Sequence, residues 1–189
     1  FYPPSEGFIE NVRAPAQMLQ LDWVYGYRGY DTIKNLWVLE KGELLYFVAA
    51  VGVIYDRLQE TQRHYTEHTE DIQCMELHPK REFVVSGQRA GKTHDTRAHV
   101  RVWNVNTLET IAKLGFGECD VGISSVAFSS LNSGLFVAAC DQGKEQIMSV
   151  WEWKTGGTLL GRVATHQEQL NGLSFHPLDN NLLITFGKN

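Results

Sequence analysis

Three stretches of this chain follow one pattern: "IQCMELHP" from Ile72, "ISSVAFSS" from Ile123 and "LNGLSFHP" from Leu170. Ile72, Met75 and Leu77 match Ile123, Val126 and Phe128 at an offset of 51, and Leu170, Leu173 and Phe175 at an offset of 98. Each stretch is followed by a second apolar run, "FVVSG" from Phe83, "FVAAC" from Phe136 and "LITFG" from Leu183. The first two units add a third run built around a tryptophan, "HVRVWNV" and "MSVWEW", with Trp103 and Trp151 lying 48 apart. A period near 48 residues, made of short apolar strands between Gly, Asn, Asp and Pro turns, is the signature of a β-propeller, whose blades are four-stranded antiparallel sheets. An immunoglobulin-like sandwich has similar strands but does not repeat itself along the chain. The fold class is therefore all-β, with radial blades.

The third unit has no tryptophan run before Asn189. Propellers close with about four to eight blades, so we expect an incomplete propeller, a piece of a longer protein. The opening residue, Phe1, agrees with a processed or cut terminus. The most apolar stretch, Leu44 to Tyr55, has twelve residues against the roughly 20 a membrane helix needs. Its β-branched and aromatic residues read as buried strand. Cys74, Cys119 and Cys140 show no C-x-x-C pairing, which suits a reducing compartment. A formal charge of -5 argues against a nucleic-acid footprint.

Two strings imitate enzyme motifs. "HYTEH", His64 to His68, spells H-x-x-E-H, whose metal chemistry needs both histidines on one helix face. The apolar residues nearby, Leu58, Tyr65 and Ile72, recur only every seventh position, too thin a stripe for a buried helix. "SGQRAGKT", residues 86–93, approaches a phosphate-binding loop, but Ser86 replaces the first glycine and a strand follows where a helix should begin. Gly87–His99 reads instead as a long hairpin loop. No G-x-S-x-G is present, so no catalytic residue, metal or cofactor is expected.

The segment before the repeats carries a family resemblance. "WVYGYRG" (Trp23, Val24, Tyr25, Gly26, Tyr27, Arg28, Gly29), then Asn35-Leu36, then "GELLYFVAAVGVIY" closely resemble, in order, the HELP motif of echinoderm microtubule-associated proteins. The likeness continues through "TQRHYTEHTEDI", "HVRVWN", "SVWEW" and "FHPLDNNLLITFGKN", covering residues 14 to 189. The resemblance implies WD-repeat blades in a tandem-propeller protein: a linker over 1–13, a HELP segment over 14–56 packed into the propeller, and about two complete blades plus a truncated one over 57–189. The Leu44–Tyr55 run would be packing material between strands.

The resemblance also implies a non-enzymatic protein that binds tubulin and microtubules in the cytoplasm and cytoskeleton, with spindle and cilium as further places. A general protein-interaction scaffold without tubulin contact is the alternative. Within a WD blade a histidine, a serine, a tryptophan and an aspartate share a buried hydrogen-bonded set; here His68, Ser86 and Trp103 match, and no aspartate is identified. In the later units Ala139 and Phe186 replace the serine, so those blades are degenerate. Tyr25, Tyr27, Arg28 and Tyr30 read chiefly as packing for the HELP segment. The loop after Gly87 carries Arg89, Lys92, Arg97 and Arg101 against Asp95 alone, making Arg89, Lys92 and Arg97 candidate contacts for acidic tubulin tails. No heptad or basic extension is present, so this piece should bind microtubules weakly by itself. Oligomerisation would come from regions outside it.

Overall fold

The computed structural model describes residues 17–165 and 170–187. The linker expected over 1–13 and the first residues of the HELP segment lie outside them. The described chain is a succession of antiparallel sheets. Strands β1 (Trp37–Val38), β2 (Leu44–Val48), β3 (Val51–Asp56) and β4 (Thr61–Tyr65) form the first sheet in sequence order. Strands β5 (Ile72–Leu77), β6 (Phe83–Gln88), β7 (Ala98–Asn104) and β8 (Thr110–Cys119) form the second. Strands β9 (Ile123–Phe128), β10 (Phe136–Asp141), β11 (Ile147–Glu152) and β12 (Thr158–Ala164) form the third. The hairpin β13 (Leu170–His176) and β14 (Asp179–Gly187) begins a fourth. No described helix is long and apolar enough to cross a membrane.

Period-two alternation decides how the sheets stack. In β6, Val84 joins the cluster formed with the first sheet, including Leu45, Phe47, Ile54 and Tyr65. Its neighbour Val85 joins the cluster formed with the third sheet, including Ile123, Val126, Val137 and Trp151. Trp103 and Val102 divide in the same way on β7. In β10, Val137 and Ala139 face the second sheet, whereas Ala138 faces Leu173 and Phe175 of the hairpin. Alternate residues point to opposite faces of a strand, so sheets apolar on both faces must be sandwiched between neighbours. That is the stacking of propeller blades. The first strands β5, β9 and β13 adjoin one another along one side.

One expectation needs correction. The Leu44–Tyr55 run is neither one strand nor packing between strands: it is the hairpin β2–β3, reversing at Ala49-Ala50, where Ala49 takes a left-handed φ of 50°. The expected boundary at 56/57 falls between β3 and β4, which pair from Gly52↔Tyr65 to Asp56↔Thr61. The segment up to Asp56 supplies three strands of the first sheet, β1 to β3.

Candidate functional site

The polar centre of the second sheet is assembled from the loop before β5 and from strands β6 and β7. Ser86 and Gln88 lie on one face of β6, two residues apart, and His68 reaches both. Gln88 Nε2 donates to Thr69 Oγ1 (3.1 Å) and the Arg97 carbonyl (3.2 Å), while Gln88 Oε1 accepts from Thr69 N (3.2 Å). Those partners fix the amide orientation and, through it, the histidine tautomer. His68 Nδ1 must donate to Gln88 Oε1 (2.8 Å). Its Nε2 then accepts from the Ser86 hydroxyl (2.7 Å), and Ser86 Oγ accepts from Trp103 Nε1 (3.1 Å). A neutral imidazole satisfies every member of this chain; a second ring proton would displace the serine hydrogen. Burial, with His99 and Arg101 nearby, pushes His68 down to about 3.

The expected trio thus meets in one network, joined by Gln88 rather than an aspartate. Gln88 stands where a WD blade is expected to carry an acid, so its residue type does not mark it. The available signal was its i, i+2 relation to Ser86 on a strand whose same-face residues share surroundings. Trp103 also stacks on Tyr65 of the preceding sheet, centroids 4.3 Å apart and 4° from parallel. Tyr65 Oη and Thr110 Oγ1 are hydrogen-bonded at 2.6 Å.

The residues Trp23–Gly29 run irregularly over the first sheet and are fastened at three points. Val24 N donates to Gln62 Oε1 (2.9 Å), and Gln62 Nε2 donates back to the Val24 carbonyl (3.1 Å). Arg28 forks onto Asp31, with both contacts at 2.8 Å, and its third nitrogen reaches the Ile72 carbonyl at 2.8 Å. Asn35, buried, donates to the Arg28 carbonyl (2.7 Å) and exchanges two hydrogen bonds with the Phe47 backbone, at 2.8 and 2.9 Å. Trp23 packs edge-on against Tyr55 and Tyr27 against Tyr46. Gly26 holds a φ of 91°, a left-handed turn that suits only glycine; the Gly29 Cβ position is filled by the Tyr27 ring. Tyr25 and Tyr30, by contrast, are 84% and 97% exposed.

The basic loop divides. Arg89 is turned onto Glu70 (3.3 Å) and Asp71 (3.4 Å). Arg101 lies 3.9 Å from Glu67 and donates to His99 Nε2. Lys92 and Arg97 instead share the wall of a cavity of about 310 Å³ with His94 and Asp120. Of the candidate tail contacts, the structure brings Lys92 and Arg97 together and leaves Arg89 with its acids.

Neither enzyme-like string has the geometry its chemistry needs. His64 sits in β4, against Gln62 Oε1 (2.9 Å), and His68 follows in a loop with both ring nitrogens engaged. The 86–93 string is followed by a three-residue 3-10 turn, His94–Thr96, and the chain then returns into β7. Among the described residues no group of three His, Cys, Asp or Glu side chains could hold a metal ion.

Comparison with known sequences gives the lineage. Residues 61–189 match the family described as echinoderm microtubule-associated protein first beta-propeller, and residues 14–53 match the HELP motif. The chain is 41% identical over 176 residues to the 77 kDa echinoderm microtubule-associated protein of Strongylocentrotus purpuratus, covering 93% of this chain and 26% of that protein. It is 42% identical over 188 residues to echinoderm microtubule-associated protein-like 2 of Rattus norvegicus, covering 98% of this chain and 29% of that protein. Against echinoderm microtubule-associated protein-like 1 of Homo sapiens it is 39% identical over 180 residues, covering 94% and 22%. The chain thus spans less than a third of the length of these relatives. With its repeating blades, its fastened Trp23–Gly29 segment and these matches, the chain belongs to the echinoderm microtubule-associated protein family.

Proposed function

We propose that this chain is part of a non-enzymatic microtubule-associated protein of the cytoplasmic cytoskeleton, and that its blades contact tubulin directly. The observation that carries this reading is identity near 40%, sustained along nearly the whole chain, to proteins named for association with microtubules. The contact falls at the edge of the blades where β5, β9 and β13 begin, because the 89–97 loop emerges there: Arg89 bridges to Gly122 just before β9. On that edge Lys92 and Arg97 present positive charge from a chain whose formal charge is -5. Acidic tubulin tails would be steered to it at low salt, with each exposed pair contributing about 0.2–1 kcal/mol.

The test reverses the two charges. Intact polypeptide carrying Lys92→Glu and Arg97→Glu should sediment less with microtubules than the native form and show a shallower dependence on salt. Unchanged sedimentation and slope would remove these residues from the contact, and no sedimentation of the native polypeptide would remove the function.

A second reading, a protein-interaction scaffold without direct tubulin contact, draws on the exposed Tyr25 and Tyr30, since aromatic side chains dominate protein-contact hot spots. Capture of purified tubulin by the intact polypeptide decides against it.

A further inference from the structure

Thr93 is an exposed hydroxyl on the wall that Lys92 and Arg97 share. The loop that carries it is tied down: Ala90 N donates to the Val121 carbonyl (2.8 Å) and Gly91 N to the Thr96 carbonyl (2.6 Å). Thr96 is engaged inside the loop. Its hydroxyl donates to the Thr93 carbonyl (3.0 Å) and accepts from Thr93 N (3.0 Å), and its side chain fills the space beside Gly91. With its own hydrogen used there, Thr96 Oγ1 accepts from Thr93 Oγ1 (3.0 Å), so esterifying Thr93 removes one donated bond at an exposed place. Thr93 itself is extended, with φ -107° and ψ 163°, just ahead of the His94–Thr96 turn. Such a backbone can lie in another protein's cleft.

Lys92 and Arg97 are cations whose charge is unanswered. Among the described residues neither lies within ion-pair distance of an acid, although Asp120 stands on the same wall, whereas Arg89 and Arg101 have theirs. Gly117 leaves room for Arg97, since a Cβ there would fall 3.1 Å from its Nη1. Together Lys92 and Arg97 contribute +2. A phosphothreonine carries about -1.5 to -2 near neutral pH, with three strong acceptor oxygens. Attached at Thr93, it would cancel the two cations from inside their own cavity, through charge-assisted hydrogen bonds that suit a guanidinium well. The same positive flanks favour encounter with an acidic enzyme cleft.

We propose that Thr93 is a phosphorylation site for a protein kinase with an acidic substrate cleft, and that phosphate there switches off the Lys92–Arg97 contact with acidic tubulin tails. In the transfer, Thr93 Oγ1 bonds to the γ-phosphorus of a nucleoside triphosphate and the bond from that phosphorus to the β–γ bridging oxygen breaks. The nucleoside diphosphate leaves, and the hydroxyl proton passes to a carboxylate of the kinase. The regulatory half rests on the tubulin contact proposed above; the modification itself does not.

The intact polypeptide, incubated with ATP, magnesium and the catalytic domain of protein kinase C (which prefers basic substrates), is mapped by mass spectrometry and then sedimented with microtubules. Phosphate is expected at Thr93 and should be missing at that position in Thr93→Val. The phosphorylated form should bind microtubules about two- to thirtyfold more weakly than the native form, the worth of two exposed ion pairs, and the difference should shrink at high salt. Thr93→Val should bind as the native form does, and Thr93→Glu should fall between native and phosphorylated. No phosphate at Thr93, or phosphate at other residues alone, would overturn the proposal. Equal binding of the phosphorylated and native forms, where Lys92→Glu with Arg97→Glu binds less, would leave the tubulin contact standing and sink its regulation. Native polypeptide that does not sediment would remove the function reading and the regulatory half with it, while the mass spectrum still decides the modification.

Discussion

Ser86 is the hinge of the polar network, because its single hydroxyl serves a histidine and a tryptophan together. Ser86→Ala leaves Trp103 Nε1 and His68 Nε2 buried without partners. A buried polar group stripped of its partner costs about 1–3 kcal/mol, so urea unfolding of the variant should show a loss of that order. The network also makes stability depend on pH. His68 ionises near 6.5 when unfolded and near 3 when folded, and His99, chiefly through burial, is pushed down to about 4. Between those values the unfolded chain takes up protons that the folded chain refuses, so stability should fall as pH drops from 6.5 toward 3. In His68→Gln the slope of unfolding free energy against pH in that window should shrink; an unaltered slope would remove His68 as its source. His68, Ser86 and Trp103 could be picked out in the sequence because the resemblance to WD-repeat blades marks their places, and Trp103 has a counterpart in Trp151. Gln88 and the fate of Arg89 could not. Arg89 is neutralised by Glu70 and Asp71, nineteen and eighteen positions upstream, which the Ile72↔Gln88 register brings alongside. A count of charges within one loop misses partners supplied across a hairpin.

The strands were easier to read from sequence than the turns that join them. Apolar runs gave away β5, β6, β9 and β10, since two-sided burial leaves little room for polar residues. The β2–β3 reversal was hidden because Ala49-Ala50 lacks the usual turn residues, and the glycine nearby, Gly52, serves another purpose. A Cβ on Gly52 would lie 3.2 Å from Trp103 Cζ2, so glycine there makes room for the tryptophan of the next sheet. Gly87 plays the same part more sharply between β6 and β9, where a Cβ would fall 2.6 Å from the Ile123 side chain. Ile123 is buried and held by the third sheet, so it cannot swing away. Gly87→Ala should therefore cost about 1–3 kcal/mol through overpacking. Gly161→Ala, in β12 with nothing within 4 Å of the new atom, should stay within about 0.5 kcal/mol. Equal effects of the two substitutions in thermal unfolding would contradict the close approach of the sheets.

Blades stacked in sequence owe their cohesion to what passes between neighbours, and one polar side chain links three parts of this chain. Glu76 stands on β5, accepts from the Phe128 backbone of the third sheet (2.7 Å) and faces Lys34 from the segment over the first sheet. With a side chain 22% exposed, the carboxyl loses hydration; burial outweighs the Phe128 and Lys34 contacts and pushes it up to about 7, from an ordinary 4.5. The consequence is opposite in sign to that of the histidines. From about 4.5 to 7 the folded protein keeps a proton that the unfolded chain releases, so this group lowers stability as pH rises and contributes no further change above 7. His68 and His99 raise stability with pH up to 6.5, so the sum should climb toward neutrality and then stop climbing. Glu76→Gln retains an oxygen for Phe128 N and removes the charge. The variant should be more stable than the native protein at pH 8 and gain less, or nothing, at pH 5, where the native carboxyl is already largely protonated. Denaturant midpoints at the two pH values decide it: equal differences would mean that Glu76 does not titrate in this range, and a larger gain at pH 5 would reverse the sign assigned to it.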